Sequence, residues 1–345
     1  MEMTFLSVLW FFLIFVLIAG YFVLDGFDLG AGVLYPFIAK NDHDKSVVRR
    51  SIGPVWDGNE VWLLTAGGAL FAAFAPAYAT TFSGFYLAIM LVLFGLIVRA
   101  VSIEFRGHDP KWGKVWDGCF FVGSLLPALL MGVAVGNIYA GIPMDAVGNY
   151  IGLPLIGLVT PFTLLCGLLG LAMFMAAGAA WISLKAPKPS EMQAKATRLR
   201  MPLQVIALIL FVAVSVYGHF IIQPDMAPVL EIARWLFALL FVAGIVVSLV
   251  LGNKKDCDLG AFLGQSVSAG CLVLLLATSM FPNLVVASAD SIGPSITLMS
   301  AASSELALGW MLGITCVGLP LVLVYHVIIY RTFRGRVTDE DLGHY

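Results

Sequence analysis

The sequence predicts an all-α polytopic membrane protein with nine transmembrane helices, and three observations carry that prediction. Of its 345 residues, 60% are apolar and only 12% charged, where a soluble domain carries roughly 25% charged residues. The apolar residues come in continuous runs of about 20, the length a bilayer core requires of a helix, and not in the alternation of a transmembrane β-barrel. The basic residues collect in alternate loops. The scarcity of charge excludes an ordinary soluble enzyme and a disordered chain, and a net charge of −2 offers no basic surface to a nucleic-acid backbone.

The first run, 4–24, follows Met1-Glu2-Met3 with no basic residue and stays apolar for too long to be a signal-peptide core, so it reads as a retained span. Lys40, Lys45, Arg49 and Arg50 separate it from spans at 51–75 and 78–100. A second basic stretch with Arg99, Arg106, Lys111 and Lys114 leads to 115–137, and the loop 138–154, without Lys or Arg, leads to 155–182. Lys185, Lys188, Lys195, Arg198 and Arg200 precede 200–222. After 231–252 come Lys254 and Lys255, then 258–282, a second loop without Lys or Arg at 283–304, span 305–331, and a tail with Arg331, Arg334 and Arg336. Of the 19 basic residues only Arg234 departs from this alternation. Positive residues mark cytoplasmic loops, so the N-terminus is expected outside and the C-terminus in the cytoplasm, which an odd number of spans satisfies. The chain 1–345 reads as one membrane domain, with a bundle division expected around 183–200.

Ionisable groups inside such runs are informative, because a charge at a helix centre costs about 2.5–3.5 kcal/mol even on the most lenient scale. Asp25 and Asp28 stand at i, i+3 in Asp-Gly-Phe-Asp-Leu-Gly, with Asp25 roughly 20 Å from the basic loop if the helix continues to Phe37. Asp57 and Glu60 repeat that spacing in Trp-Asp-Gly-Asn-Glu, with Asp57 roughly 9 Å inside the cytoplasmic end of its span. Asp117 follows Lys114 on the same membrane side. All five acids thus fall between the membrane middle and the cytoplasm. Two carboxylates on one face cannot both ionise cheaply, so each pair is expected to hold or share a proton. A proton or cation path from the cytoplasm is one reading. Helix capping and salt bridging, favoured for Asp117, is the other.

The remaining residues give less. Cys119, Cys166, Cys257, Cys271 and Cys316 are scattered and read as packing residues. Gly26-x-x-x-Gly30, Gly32 and Ala66-Gly67-Gly68-Ala69 read as sites of close helix approach. His43, His108 and His344 fall in cytoplasmic loops, and His219 and His326 lie on distant spans, which is a poor pattern for haem. No phosphate loop, zinc motif, catalytic triad or dinucleotide fingerprint occurs.

The stretch Trp56-Asp57-Gly58-Asn59-Glu60-Val61-Trp62 through Ala66-Gly67-Gly68-Ala69-Leu70-Phe71, with Phe82-Ser83-Gly84-Phe85-Tyr86, closely resembles subunit II of the cytochrome bd quinol oxidases. Asp25-Gly26-Phe27-Asp28-Leu29-Gly30, Trp116-Asp117, Gly132-Val133-Ala134-Val135-Gly136-Asn137, Met280-Phe281-Pro282, Ser295-Ile296-Thr297, Ala302-Ser303-Ser304 and the tail Gly335-Arg336-Val337-Thr338-Asp339-Glu340-Asp341 extend the resemblance over nearly the whole chain, least through 183–260. Glu60 stands where some members carry Gln.

The resemblance implies nine spans arranged as two four-helix bundles plus one peripheral helix, in a bacterial or archaeal plasma membrane. It implies a partner, subunit I, that holds low-spin haem b, high-spin haem b and haem d, oxidises quinol near the outer surface and reduces dioxygen to water. Tiny single-span accessory subunits accompany some members. Subunit II itself is expected to bind no haem, to support subunit I, and in some members to hold a quinone-like molecule or membrane lipid in a cleft. If quinol releases protons outside and oxygen takes them from inside, charge is separated without a pump, and Asp57, Glu60, Asp25, Asp28 and Asp117 are placed to supply protons. The rival reading from the residues alone is a secondary transporter or cation channel that uses intramembrane carboxylates.

Overall fold

The computed structural model describes residues 3–222, 227–254 and 256–342, so Met1, Glu2, Lys255 and His344 lie outside the described residues. The chain opens on a reciprocal cap, with Thr4 and Ser7 each accepting the other's backbone N–H, and runs into α1 (Phe5–Ile38), 34 residues and about 51 Å long. The polar helix α2 (Asp42–Ile52), capped by Asn41, lies between α1 and α3 (Trp56–Ala73). Where a single span was expected at 78–100 the chain forms two helices, α4 (Ala75–Gly84) and α5 (Tyr86–Phe105). Pro76 starts the first of them, and Ser83-Gly84 ends it before the continuous apolar run of α5 begins.

The long helices α6 (Gly113–Ala140), α7 (Pro161–Lys185), α8 (Glu191–Tyr217), α9 (Glu231–Gly252) and α10 (Asp258–Met280) follow. Helix α8 starts nine residues before the expected span, because Ser190 caps it and its first turns are polar. A short antiparallel pair, β1 (Asn283–Val285) and β2 (Ile296–Thr297), and the one-turn α11 (Leu298–Ala301) lead to α12 (Glu305–Thr332) and the terminal turn α13 (Asp339–Leu342). Among the described residues eight helices are long and apolar enough to cross a membrane. Helix α3 is the ninth crossing by position, made less apolar by Asp57, Asn59 and Glu60 in its first turns.

Helices α1, α3, α5 and α6 pack as one bundle and α7 to α10 as the other, with α12 peripheral. The division therefore falls in the loop 141–160 and not at 183–200, since α7 packs on α8 across that basic turn. Both bundles meet on α1 and α7, whose backbones touch at Gly30 and Gly178. A Cβ on Gly30 would collide with the Phe174 carbonyl, and one on Gly178 with the backbone of Gly30 and Ala31. Phe27 stacks on Trp181 nearby, with ring centroids 4.2 Å apart, and Phe262 meets Phe27 edge-on. At the end opposite the basic loops, Ile142 N–H donates to the Val286 carbonyl at 3.0 Å and Ile292 N–H to that of Met144 at 2.8 Å, which joins the two loops that lack Lys and Arg.

Candidate functional site

Asp25 and Asp28 are one turn apart on α1 and both are 0% exposed. Arg99 on α5, also 0% exposed, donates Nη1 to Asp25 Oδ2 at 3.0 Å and Nη2 to Oδ1 at 2.5 Å. Such a bidentate fork is the strongest arrangement available to a guanidinium and a carboxylate. Asp28 is held differently. Its Oδ2 accepts from Asn59 Nδ2 at 2.7 Å, while Asn59 Nδ2 also donates to the Leu24 carbonyl at 3.1 Å and Asn59 Oδ1 accepts from the Tyr330 hydroxyl at 3.0 Å. Four helices, α1, α3, α5 and α12, thus converge on one buried polar cluster.

Glu60, one residue beyond Asn59, is half-buried and within electrostatic reach of Arg99, Asp25 and Asp57. Asp57 is exposed in the first turn of α3, where its negative charge favours the helix N-terminus. Asp117 stands apart from these four. It accepts from Tyr35 Oη and Lys45 Nζ, each at 2.7 Å, and from Arg106 Nε at 2.9 Å. This ties α1, α2 and α6 together at the end of the bundle that carries the basic loops. Burial opposes the charge of Arg106, but its hydrogen bonds to Asp117 and Asp42 outweigh that, so the guanidinium is held above its ordinary range.

The structure changes the place of Arg99. In the sequence it stands with the second basic stretch, yet α5 continues six residues beyond it to Phe105. The flanking Ile97-Val98 and Ala100-Val101 were the available signal. Asn59 and Tyr330 carried no signal of their own, because their role depends on contacts between distant helices.

The histidines are engaged elsewhere. Trp62 Nε1 donates to His326 Nε2 at 3.2 Å, and His326 Nδ1 lies 2.9 Å from the Val322 carbonyl, which can only accept, so both ring nitrogens are occupied. His43 contacts Asp339, and His108 the Glu104 carbonyl. His219 borders a cavity of about 420 Å³ between α1 and α6 to α10. Phe22, Phe162 and Phe211 make its body apolar, and His219, Glu231 and Arg234 give it one polar end. Among the described residues no group of three or more His, Cys, Asp or Glu is arranged to hold a metal ion.

The family model for cytochrome bd terminal oxidase subunit II matches residues 6–333. The chain belongs to that family. It is 34% identical to the cytochrome bd-I ubiquinol oxidase subunit 2 of Escherichia coli (strain K12), over 98% of this chain and 96% of that protein. It is 35% identical to the cytochrome bd ubiquinol oxidase subunit 2 of Bacillus subtilis (strain 168), over 96% and 97% respectively. A chain in the structure of bd oxidase from Geobacillus thermodenitrificans shares the fold, with a TM-score of 0.77 at 15% identity over 96% of this chain and 99% of that one. As a bd oxidase subunit II, the protein is a multi-pass membrane component of a respiratory oxidase complex and has a subunit I partner.

Proposed function

We propose that this chain is the haem-free subunit II of an electrogenic quinol:oxygen oxidoreductase, that it supports the haem-bearing subunit I, and that it supplies part of the cytoplasmic proton-uptake path for reduction of dioxygen to water. The observation that carries the reading is the continuity of the acids. Asp57 at the start of α3, Glu60 one turn on, and the buried Asp28 and Asp25 follow one another from the basic end of the bundle towards its middle. Groups of this kind inside a membrane mark ion and proton routes. Asp117, with three donors on its carboxylate, fastens the cytoplasmic edge beside that route.

The assignment of haem b and haem d to subunit I rests on the poor ligand set here. His326 has both nitrogens bonded within this chain, and His219 lies on a different helix from it. The docking face for subunit I is α12 with α3. Helix α12 turns Trp310, Ile314, Val317 and Leu321 outwards, and a Cβ at Gly309, Gly313, Gly318 or Gly68 would meet open space, which leaves room for close helix approach. Asp57 and Glu60 sit beside this face, so the route they form leads towards the partner's oxygen site. The 420 Å³ cavity fits a quinone-like molecule or a lipid, with an apolar body for the chain and Arg234 and Glu231 for a polar head. The termini take the orientation set by the basic loops, N-terminus outside and C-terminus cytoplasmic.

The test is Asp57→Asn in the complete oxidase. An amide keeps the shape and caps a helix as well as a carboxylate does, but it cannot bind and release a proton. Oxygen turnover per haem is expected to fall several-fold with haem content unchanged. A variant as fast as the parent would leave Asp57 a helix-end residue and move proton uptake elsewhere.

A further inference from the structure

We propose that Asp28, and not its neighbour Asp25, is the carboxyl that holds and passes the proton at the centre of this cluster, and that Tyr330 positions it through Asn59. The proposal rests on the proton-uptake reading above and divides the labour within it. Spacing alone makes the two aspartates equivalent. Their surroundings do not.

Both oxygens of Asp25 are taken by Arg99. Protonating Asp25 would leave a guanidinium at 0% exposure without a counter-charge, a loss that a buried site resists strongly. Both carboxylate oxygens of Asp25 are therefore committed to Arg99. Asp28 makes no ion pair among the described residues, and its only hydrogen bond is the one from Asn59. A carboxyl so buried, with no cation of its own and one oxygen unpartnered, is the one of the two built to take up a proton. The groups facing it are Asp25 on α1, Asn59 and Glu60 on α3, Arg99 on α5 and Tyr330 on α12. Of the two cation–acid combinations available, Arg99 is already committed to Asp25.

Asn59 fixes which oxygen carries the proton. The atom 3.1 Å from the Leu24 carbonyl must be the amide nitrogen, because that carbonyl can only accept. The amide oxygen then points at the Tyr330 hydroxyl, which donates to it. Asn59 is thereby limited to donating to Asp28, and Asp28 Oδ2 to accepting. Oδ1, buried and without a partner among the described residues, is the atom left to bind the proton. Loading adds one proton to Oδ1 and unloading removes it. The charge of Asp28 alternates between 0 and −1 while Asp25 and Arg99 stay paired. Tyr330 touches no transferred proton and acts by holding the amide in one orientation.

The test is infrared spectroscopy of the complete oxidase, which resolves the C=O stretch of a protonated carboxylic acid from carboxylate bands without relying on turnover. A carboxylic-acid band is expected at neutral pH, moved by ¹³C-labelled aspartate and absent in Asp28→Asn. Tyr330→Phe, with haem content unchanged, is expected to shift that band by loosening the Asn59 bond. A band insensitive to aspartate labelling, or one that survives Asp28→Asn, overturns the assignment. An unshifted band in Tyr330→Phe overturns the positioning role. Should Asp28→Asn fail to assemble, the labelling and Tyr330→Phe measurements decide alone. A full-speed Asp57→Asn enzyme that keeps the Asp28 band would defeat the uptake route and leave this assignment standing, whereas a missing band with a slow Asp57→Asn enzyme would do the reverse.

Discussion

Arg99 has a task that no other cation among the described residues shares, since it pairs with a carboxylate with both partners at 0% exposure. Truncating one partner of such a pair strands the other, at a cost of about 3–5 kcal/mol. Arg99→Gln is therefore expected to lower the yield of haem-containing complex and its thermal midpoint sharply. Arg99→Lys keeps the charge but loses the fork and should fall between the two. Equal stability of Arg99→Gln and the parent, followed by haem absorption on heating, would show that the pair contributes nothing to the fold. Asp25, Asp28, Asp57, Glu60 and Asp117 were legible in the sequence as acids in the wrong solvent. Their partners were not, because Arg99 stands 74 residues from Asp25 and Tyr330 stands 271 from Asn59, and no local spacing encodes either contact.

At the scale of helices, the seam between the bundles depends on the absence of two side chains. Gly30 on α1 and Gly178 on α7 lie back to back, each against the other helix's backbone. A methyl group there cannot be accommodated by turning a side chain, so the helices must separate, and overpacking of this kind costs about 1–3 kcal/mol. Gly30→Ala is expected to reduce assembled complex in the membrane, while Gly68→Ala, whose Cβ meets nothing within 4 Å in this chain, tests the face proposed for subunit I. If Gly30→Ala assembles as well as the parent, the seam is looser than its geometry. The sequence announced small-residue contacts through Gly26-x-x-x-Gly30 without revealing which helix they face. It also merged α4 and α5 into one span's neighbourhood, because hydropathy averages over the break at Phe85 that backbone geometry makes plain.

For the molecule as a whole, the basic loops predict an orientation that can be read from intact cells. Ile292, 75% exposed in the loop that lacks Lys and Arg, is expected outside, and Asp256, with a side chain 74% exposed beside the basic turn after α9, inside. A membrane-impermeant thiol reagent should label Ile292→Cys in whole cells, and Asp256→Cys only after the cells are opened. The opposite pattern would invert the path and place Asp57 on the outer side. The number of crossings was legible because hydrophobic length is a property of each segment taken alone. The bundle division was not, since α7 is chosen as a partner by shape at Gly30 and Gly178 and not by the charge of the turn that follows it.

The ion pair between Asp25 and Arg99 also bears on biogenesis. The first helix leaves the ribosome 74 residues ahead of its guanidinium, an interval on the order of 4–15 s at 5–20 residues per second. Through that interval Asp25 lacks the partner it has in the folded chain, and a buried unpaired charge is costly, so α1 is expected to settle only when α5 arrives. Arrival of α5, the third crossing, brings Arg99 to Asp25 and holds α1 against it. A chain whose third crossing is delayed or misinserted is therefore expected to keep an unmatched acid in its first helix.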